Sequence, residues 1–156
     1  MAKKFSISEA VIVLKEGKKL YSDIPVQDIT DVVRLIGGEI RHTDREHMIV
    51  INLDAMYRPV NYHLVAIGGL VSVEADIANV FKTAILSNAK GIILMHNHPM
   101  SDMEPSEDDV IVTQRVVAAG EILGITLVDH IIIGEDGRLF SFAEKTDLLE
   151  DGEDES

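Results

Sequence analysis

Three segments of the chain carry hydrophobic residues at helical spacing. Residues 26–36 form the first, and the glycine pair that follows them predicts the end of a helix. The second covers about residues 77–88 and has Ser72 as a candidate N-cap. The third follows Pro105, a residue type favoured in the first helical turn, and is expected to end near Leu123 because a glycine comes next.

Runs of β-branched and aromatic residues between these helices predict strands. Several runs are continuously apolar, which is typical of strands that are buried on both faces. The predicted strands cover residues 48–53, 59–67, 91–95, 125–133 and 139–142, and two shorter ones are expected at 10–14 and 20–21. Helices and strands in this order predict an α/β or α+β sandwich in which helices cover a mixed sheet.

The composition is that of a single folded domain. The chain has 156 residues, of which 46% are hydrophobic and 26% are charged. We therefore expect an N-terminal extension at residues 1–25, one domain at 26–146, and an acidic, disordered tail at 147–156. The sequence contains no run of about 18 apolar residues and no signal-peptide core, so we expect a cytoplasmic protein without a membrane partner.

The charge balance argues against nucleic acid as a partner. The formal net charge is -13, and six acidic residues lie in the segment 147–156, which has no basic residue. Proteins that neutralise phosphates need a basic face, and the 14 Lys and Arg residues would form one only if they were strongly concentrated. Nucleic-acid binding is therefore not expected.

Two histidines at the end of a predicted strand indicate a metal site. His96 and His98 are two residues apart, and in extended backbone such side chains point to the same side. Asp109 follows in the first turn of the next helix, so one fold of the loop brings its carboxylate alongside. The chain has no cysteine, so zinc would need His, Asp or Glu ligands, and three of these plus water are typical of a catalytic zinc site.

Each of these residues also has a plainer interpretation. Ser106 and Asp109 have the spacing of a capping box at a helix start, a role that does not exclude metal ligation. The segment from His96 to His98 is, taken alone, compatible with a turn that exposes two imidazoles. Glu46 directly precedes a predicted strand and is the preferred general base among the upstream glutamates, and the alternative is a solvated surface charge.

A polar pair inside the strand at 125–133 is a further candidate. Asp129 and His130 interrupt an otherwise apolar run. A buried histidine usually has a satisfied structural hydrogen bond, and we favour that interpretation. A position behind a metal ligand is the alternative. No functional role is assigned to the remaining histidines, His42, His47 and His63.

Five positions resemble the signature of the JAMM (MPN+) metalloproteases, in which a glutamate precedes His-x-His-Pro and then Ser-x-x-Asp. In this chain they are Glu46, His96, His98, Ser106 and Asp109. The surrounding sequence is similar to the C-terminal domain of RadC-type proteins over about residues 27–145, with close likeness at 84–99 and 127–134.

The resemblance implies a cytidine-deaminase-like three-layer α/β/α sandwich, the JAMM/MPN fold. It also implies a Zn²⁺ cofactor on His96, His98 and Asp109, with Glu46 as the group that moves protons. Ser106 would stabilise the oxyanion of a tetrahedral intermediate. The implied reaction is hydrolysis of a peptide or isopeptide bond in a protein or peptide substrate, and a homo-oligomer is left open.

The sequence departs from the family pattern in two places. Residues 99–101 are Pro-Met-Ser where the family usually has Pro-Ser-Gly, and residues 77–79 are Ile-Ala-Asn where it has Pro-Arg-Glu. The helix-hairpin-helix half of long RadC proteins is not recognised in the sequence, which weakens the expectation of DNA contact. Two other functions stay open: a DNA-repair or mobile-element accessory protein, and a non-catalytic scaffold.

Overall fold

The computed structural model of the chain describes residues 7–22, 28–68, 76–99 and 103–149. Its elements, in chain order, are α1 (Ile29–Gly37), β1 (His47–Leu53), β2 (Pro59–Ile67), α2 (Ile77–Leu86), β3 (Gly91–His98), α3 (Glu107–Leu123), β4 (Thr126–Gly134), β5 (Leu139–Ser141), α4 (Phe142–Lys145) and a 3-10 turn (Asp147–Leu149). The strands form one sheet in the order β2-β1-β3-β4-β5. Because β3 and β4 are parallel and the other neighbouring pairs are antiparallel, the predicted mixed α/β sheet is confirmed.

Helices cover both faces of this sheet and give three layers. On one face, α2 and α3 pack against the central strands through Val80, Phe81 and Val116. On the other face, α1 packs through Val33 and Ile36. Successive side chains of β3 enter the two cores in turn, which explains why its sequence is apolar rather than alternating. The α/β/α sandwich expected from the sequence is confirmed.

Two aspartates decide where the first two helices begin. Helix α1 starts later than predicted because the Asp28 side chain accepts the Asp31 N–H and acts as its N-cap. Asp76 caps α2 by accepting the Ala78 N–H, and the predicted cap, Ser72, lies outside the described residues. None of the helices in the described ranges is long and apolar enough to cross a membrane.

The short strands predicted at 10–14 and 20–21 are wrong. Residues 7–22 are described and contain no strand. Val11, Ile12 and Val13 are 78%, 71% and 73% exposed. A β-prone run forms a strand only where a neighbouring strand pairs with it and its side chains have a surface to pack on, and no described strand pairs with this segment.

The ordered part of the chain extends past the predicted domain end. After β5 the chain forms α4 and the 3-10 turn, and Leu149 packs against the core on the α2–α3 face. The disordered tail predicted from residue 147 is therefore wrong for residues 147–149, because a leucine there has apolar surface to bury. Residues 150–156 lie outside the described part of the chain.

Candidate metal centre

The end of β3 and the start of α3 bring three potential metal ligands together. His96 and His98 lie at the end of β3, and Asp109 lies in the first turn of α3. The Nε2 atoms of the two histidines are 3.0 Å apart. Asp109 Oδ1 lies 3.1 Å from His96 Nε2, and Asp109 Oδ2 lies 3.5 Å from His98 Nε2. Within the described ranges this is the one group of three such side chains that could hold a metal ion.

These separations fit a tetrahedral zinc site. Bonds of about 2.0–2.2 Å from zinc to nitrogen or oxygen place neighbouring ligand atoms about 3.3–3.6 Å apart. The closest donor pairs of His96, His98 and Asp109 are 3.0 to 3.5 Å apart. Two imidazoles and a carboxylate are ligands that zinc favours, and three protein ligands leave a fourth position for water or substrate. The side chains present therefore fit one zinc ion.

The electrostatics of Asp109 favour a bound cation. His96 is 1% exposed and Asp109 is 8% exposed. Burial by itself raises the pKa of Asp109, but hydrogen bonds from His96 and His98, the charge of His96 and the Ser106 hydroxyl together lower it well below its ordinary value. Asp109 is therefore an anion at neutral pH and can offset part of the charge of a dication.

Ser106 and Asp109 form a reciprocal capping box at the start of α3. The Ser106 Oγ accepts the Asp109 N–H at 3.1 Å, while Asp109 Oδ2 accepts the Ser106 N–H at 2.8 Å and its hydroxyl at 2.7 Å. The capping interpretation is thus confirmed, and it does not compete with ligation. The cap holds Oδ2 and leaves Oδ1 directed at His96, so it orients the carboxylate.

A buried hydrogen-bond chain runs from His96 back to α3. His96 Nδ1 lies 2.9 Å from His130 Nε2, and His130 Nδ1 lies 2.7 Å from Thr113 Oγ1, which donates to the Asp109 carbonyl at 2.6 Å. Burial, together with the His96 ring, lowers the pKa of His130 well below its ordinary value, and its ring stacks on Phe142. His130 therefore has satisfied hydrogen bonds in the core and lies directly behind His96, a potential metal ligand. The sequence analysis missed Thr113, whose signal was its position one helical turn after Asp109.

Asp129, the other half of the polar pair, serves the turn between β5 and α4. Its carboxylate accepts the Ser141 hydroxyl at 2.7 Å and the Ala143 N–H at 3.0 Å. Burial raises the pKa of this carboxyl above its ordinary value, against these two hydrogen bonds, which lower it. The structural interpretation therefore holds for Asp129.

Glu46 lies one residue before β1 and is half-buried. Met48 pairs with His96 in the antiparallel β1–β3 ladder, and continuing this register sets Glu46 opposite His98. Residues two apart in extended backbone share a face, and Met48 belongs to the core beneath α2 and α3. The Gly68 N–H donates to the Glu46 carbonyl at 2.9 Å, which extends the sheet by one more rung. Glu46 thus lies at the same end of the sheet as the two histidines, and its register gives it the same face.

Asn97 holds the segment around Glu46 from the opposite face, a role that the sequence analysis missed. Its side chain is fully buried. Asn97 Oδ1 accepts the His47 N–H at 2.7 Å, and Nδ2 donates to the Arg45 carbonyl and the Thr43 hydroxyl, both at 3.1 Å. A buried amide between two histidines needs polar partners of its own, which was the available signal.

The sequence of this domain matches the RadC-like JAB domain over residues 26–148, most of the chain. The chain belongs to this family. The five-stranded mixed sheet with its covering helices and the His-His-Asp cluster agree with a RadC-like JAMM/MPN domain.

Several relatives of this JAB domain are UPF0758 proteins. The one from Syntrophomonas wolfei is 39% identical over 143 residues, which are 86% of this chain and 60% of the relative. The one from Caldanaerobacter subterraneus is 44% identical over 115 residues, 74% of this chain and 49% of the relative. The one from Moorella thermoacetica is 39% identical over 142 residues, 88% of this chain and 62% of the relative. The chain thus spans about half to three fifths of their length, and they support the family without indicating a reaction.

Proposed function

We propose that this JAB domain is a zinc-dependent hydrolase of the JAMM metalloprotease type, which cleaves a peptide or isopeptide bond in a protein or peptide substrate. The observation that carries the proposal is the convergence of His96, His98 and Asp109 at separations that fit zinc and leave one position open. The site lies at the end of a rigid central strand, where catalytic side chains can be held precisely.

Zinc held by these three residues would polarise the amide carbonyl and lower the pKa of a water molecule to about 7. Asp109 and the two imidazoles hold the site, and the Ser106 cap keeps the Asp109 carboxylate turned towards it. We assign Glu46 the transfer of a proton from the attacking water to the leaving amine, and the continued β1–β3 register, which sets Glu46 opposite His98, supports this role.

We assign Ser106 a second task, the donation of its hydroxyl to the oxyanion of the tetrahedral intermediate. The hydroxyl donates to Asp109 Oδ2 before the reaction and must turn away from it to reach a substrate oxygen. The Ser106 backbone N–H also donates to Oδ2, at 2.8 Å. The carboxylate therefore keeps one of its two hydrogen bonds from Ser106 when the hydroxyl moves.

Hydrolysis of defined amide bonds tests this proposal. Zinc-loaded protein would be incubated with a panel of linear peptides and lysine-branched isopeptides, and the products would be identified by mass spectrometry. We expect cleavage that a chelator stops and added zinc restores. Turnover of Glu46→Gln should fall by about two to four orders of magnitude.

Glu39→Gln is the matched control, because Glu39 lies on the surface after α1 and pairs with Lys18. This variant should cleave at the wild-type rate. If zinc-loaded wild-type protein cleaves none of the peptides or isopeptides, the proposed reaction class is contradicted. Equal rates for wild type and Glu46→Gln would contradict the role of Glu46.

We also propose that the partner is protein rather than nucleic acid. The formal net charge of -13 repels phosphates, and three acidic side chains, Glu107, Asp108 and Asp109, lie in the first turn of α3 at the metal centre. A gel-shift titration at low salt should show no tight binding of DNA or RNA. Tight binding that weakens steeply with salt would contradict this proposal and favour the accessory-protein alternative.

A further inference from the structure

We infer that His130 and Thr113 act as positioning residues that hold a hydrogen on Nδ1 of His96, so that Nε2 is the nitrogen of this ring left for the metal. The observation is the hydrogen-bond chain from His96 through His130 and Thr113 to the Asp109 backbone. The inference rests on the proposed function in one respect, which is that the ion at the site is zinc.

The direction of the hydrogen bonds in this series is set by its last acceptor, the backbone carbonyl of Asp109. The Asp109 carbonyl can only accept a hydrogen bond, so the Thr113 hydroxyl, at 2.6 Å, must donate its single proton to it. The same oxygen lies 2.7 Å from His130 Nδ1. With its proton already used, Thr113 can only accept there, and Nδ1 of His130 must therefore carry a hydrogen.

The next bond follows from the surroundings of His130. The ring is 0% exposed and stacks on Phe142, with ring centroids 4.7 Å apart. A neutral imidazole with hydrogen on Nδ1 has a bare Nε2, which accepts. His96 Nδ1, 2.9 Å away, must therefore be the donor, so Nδ1 of His96 also carries a hydrogen.

The other ring nitrogen of His96, Nε2, is the atom that faces the other two proposed ligands. His96 Nε2 lies 3.0 Å from His98 Nε2 and 3.1 Å from Asp109 Oδ1. A metal ligand must present a lone pair, and in a free neutral imidazole the hydrogen can sit on either nitrogen. The hydrogen-bond chain removes the tautomer that would block the metal.

The same series of hydrogen bonds also connects two proposed ligands that lie on different secondary-structure elements. His96 is on β3, Asp109 is on α3, and His130 on β4 lies between them. The hydrogen bonds start at the ring of the first ligand and end at the backbone of the second. A shift of α3 along the sheet would break these hydrogen bonds. The same contacts therefore hold His96 and Asp109 at their observed separation.

The proton positions can be measured directly in the full chain. Long-range ¹H–¹⁵N correlation spectra of histidine rings show which nitrogen carries hydrogen, and the His130→Gln spectrum identifies the His130 signals by their loss. We expect hydrogen on Nδ1 of both His130 and His96 in metal-free protein, and no change at His130 when zinc is added. Hydrogen on His130 Nε2, or a His96 Nδ1 without hydrogen, in metal-free protein would overturn the inference.

Zinc affinity provides a second readout, measured by competition with a chromophoric chelator. His130→Gln keeps an amide oxygen that can accept from His96 Nδ1, whereas His130→Leu offers no acceptor. We expect His130→Gln to bind zinc close to wild-type affinity and His130→Leu to bind about 10- to 100-fold more weakly. Equal affinities in these two variants would mean that the histidine only fills the core.

The pair Thr113→Val and Thr113→Ser covers the case in which His130→Leu fails to fold. Valine keeps the volume of threonine and removes the hydroxyl, and serine keeps the hydroxyl. Thr113→Val should weaken zinc binding and lower the fraction of His96 that carries hydrogen on Nδ1 in metal-free protein, while Thr113→Ser should resemble wild type. If the spectra of both Thr113 variants match that of wild type, the inference is overturned. If wild type binds no zinc, the proposed function fails, and the metal-free spectra still test the tautomers.

Discussion

The side-chain oxygen of Asn97 accepts a hydrogen bond from the backbone N–H of His47 at 2.7 Å. Its amide nitrogen donates to the backbone carbonyl of Arg45. These two backbone groups flank Glu46, so Asn97 ties both sides of the proposed general base to the strand that carries the histidine ligands. Side chains alternate along a strand, which is why Asn97 can do this from the face opposite to the metal centre.

Replacement of Asn97 should loosen the segment that carries Glu46 while leaving the three ligands in place. Asn97→Ala leaves buried backbone groups at Arg45 and His47 unsatisfied, which costs about 1–3 kcal/mol for each group. Amide hydrogen exchange at His47 should become at least about tenfold faster. Asn79→Ala, on the surface of α2, is the control and should leave this exchange unchanged. An unaltered His47 rate in Asn97→Ala would show that the side chain does not hold this segment.

Removal of the Ser106 side chain tests its roles as helix cap and as the group that orients Asp109. Ser106→Ala removes the acceptor for the Asp109 N–H and one donor to Asp109 Oδ2. We expect a loss of about 1 kcal/mol in unfolding free energy from the helix cap and a zinc affinity lower by about tenfold or more. Ser106→Thr keeps the hydroxyl and should restore both. Unchanged zinc affinity in Ser106→Ala would show that the hydroxyl does not orient Asp109.

Asp129 should make stability depend on pH in a definite direction. Burial raises the pKa of its carboxyl, so the folded chain keeps this proton to a higher pH than the unfolded chain does. Stability contributed by this group is therefore present below the ordinary aspartate pKa of about 4 and is lost as the pH rises through the raised value. Asp129→Asn does not titrate and keeps an oxygen for the Ala143 N–H.

Urea unfolding of wild type and Asp129→Asn across the range from about pH 4 to about pH 7 measures this effect. The unfolding free energy of the variant minus that of wild type should increase with pH. A difference that stays constant or decreases would mean that burial does not raise the pKa of Asp129 in the folded chain.

Leu149, the last of the described residues, should contribute to the stability of the fold. Leu149 packs against the core on the α2–α3 face. Leu149→Ala should lower the unfolding free energy by about 1–2 kcal/mol, less than for a fully buried leucine because the residue is only half-buried. Ile122→Ala, at a position 87% exposed, is the control and should change stability by less than about 0.5 kcal/mol. Equal effects in the two variants would show that the packing of Leu149 contributes nothing.

The core elements could be predicted from the sequence because their signals are strong and local. Gly124 ends α3 with a φ of 66°, a left-handed conformation that glycine adopts readily, and the Ser106 cap starts the same helix. The run Ala10–Leu14 shows the limit of such reasoning. It has strand-forming residues, but strand formation depends on a partner that the local sequence does not supply.

The metal ligands could be proposed from the sequence, whereas a position behind them was only an alternative for His130 and was not proposed for Thr113. His96 and His98 are two apart on one strand, so their common direction follows from strand geometry alone. His130 contacts His96 because β4 pairs with β3 in one particular register, and Thr113 contacts His130 because α3 packs against β4. The spacing of Thr113 from Asp109 predicts a shared side of α3, but the contacts with the two histidines depend on tertiary packing.

Zinc content tests the central claim most directly. The full chain would be purified without chelator, its folding checked by circular dichroism, and its zinc measured by inductively coupled plasma mass spectrometry. We predict one zinc per chain in wild type and in Glu46→Gln, because a general base outside the ligand set does not hold the metal. His96→Ala and Asp109→Asn should lose it. Zinc retained by Asp109→Asn and lost from Glu46→Gln would contradict the assignment and reverse the roles of the two carboxylates.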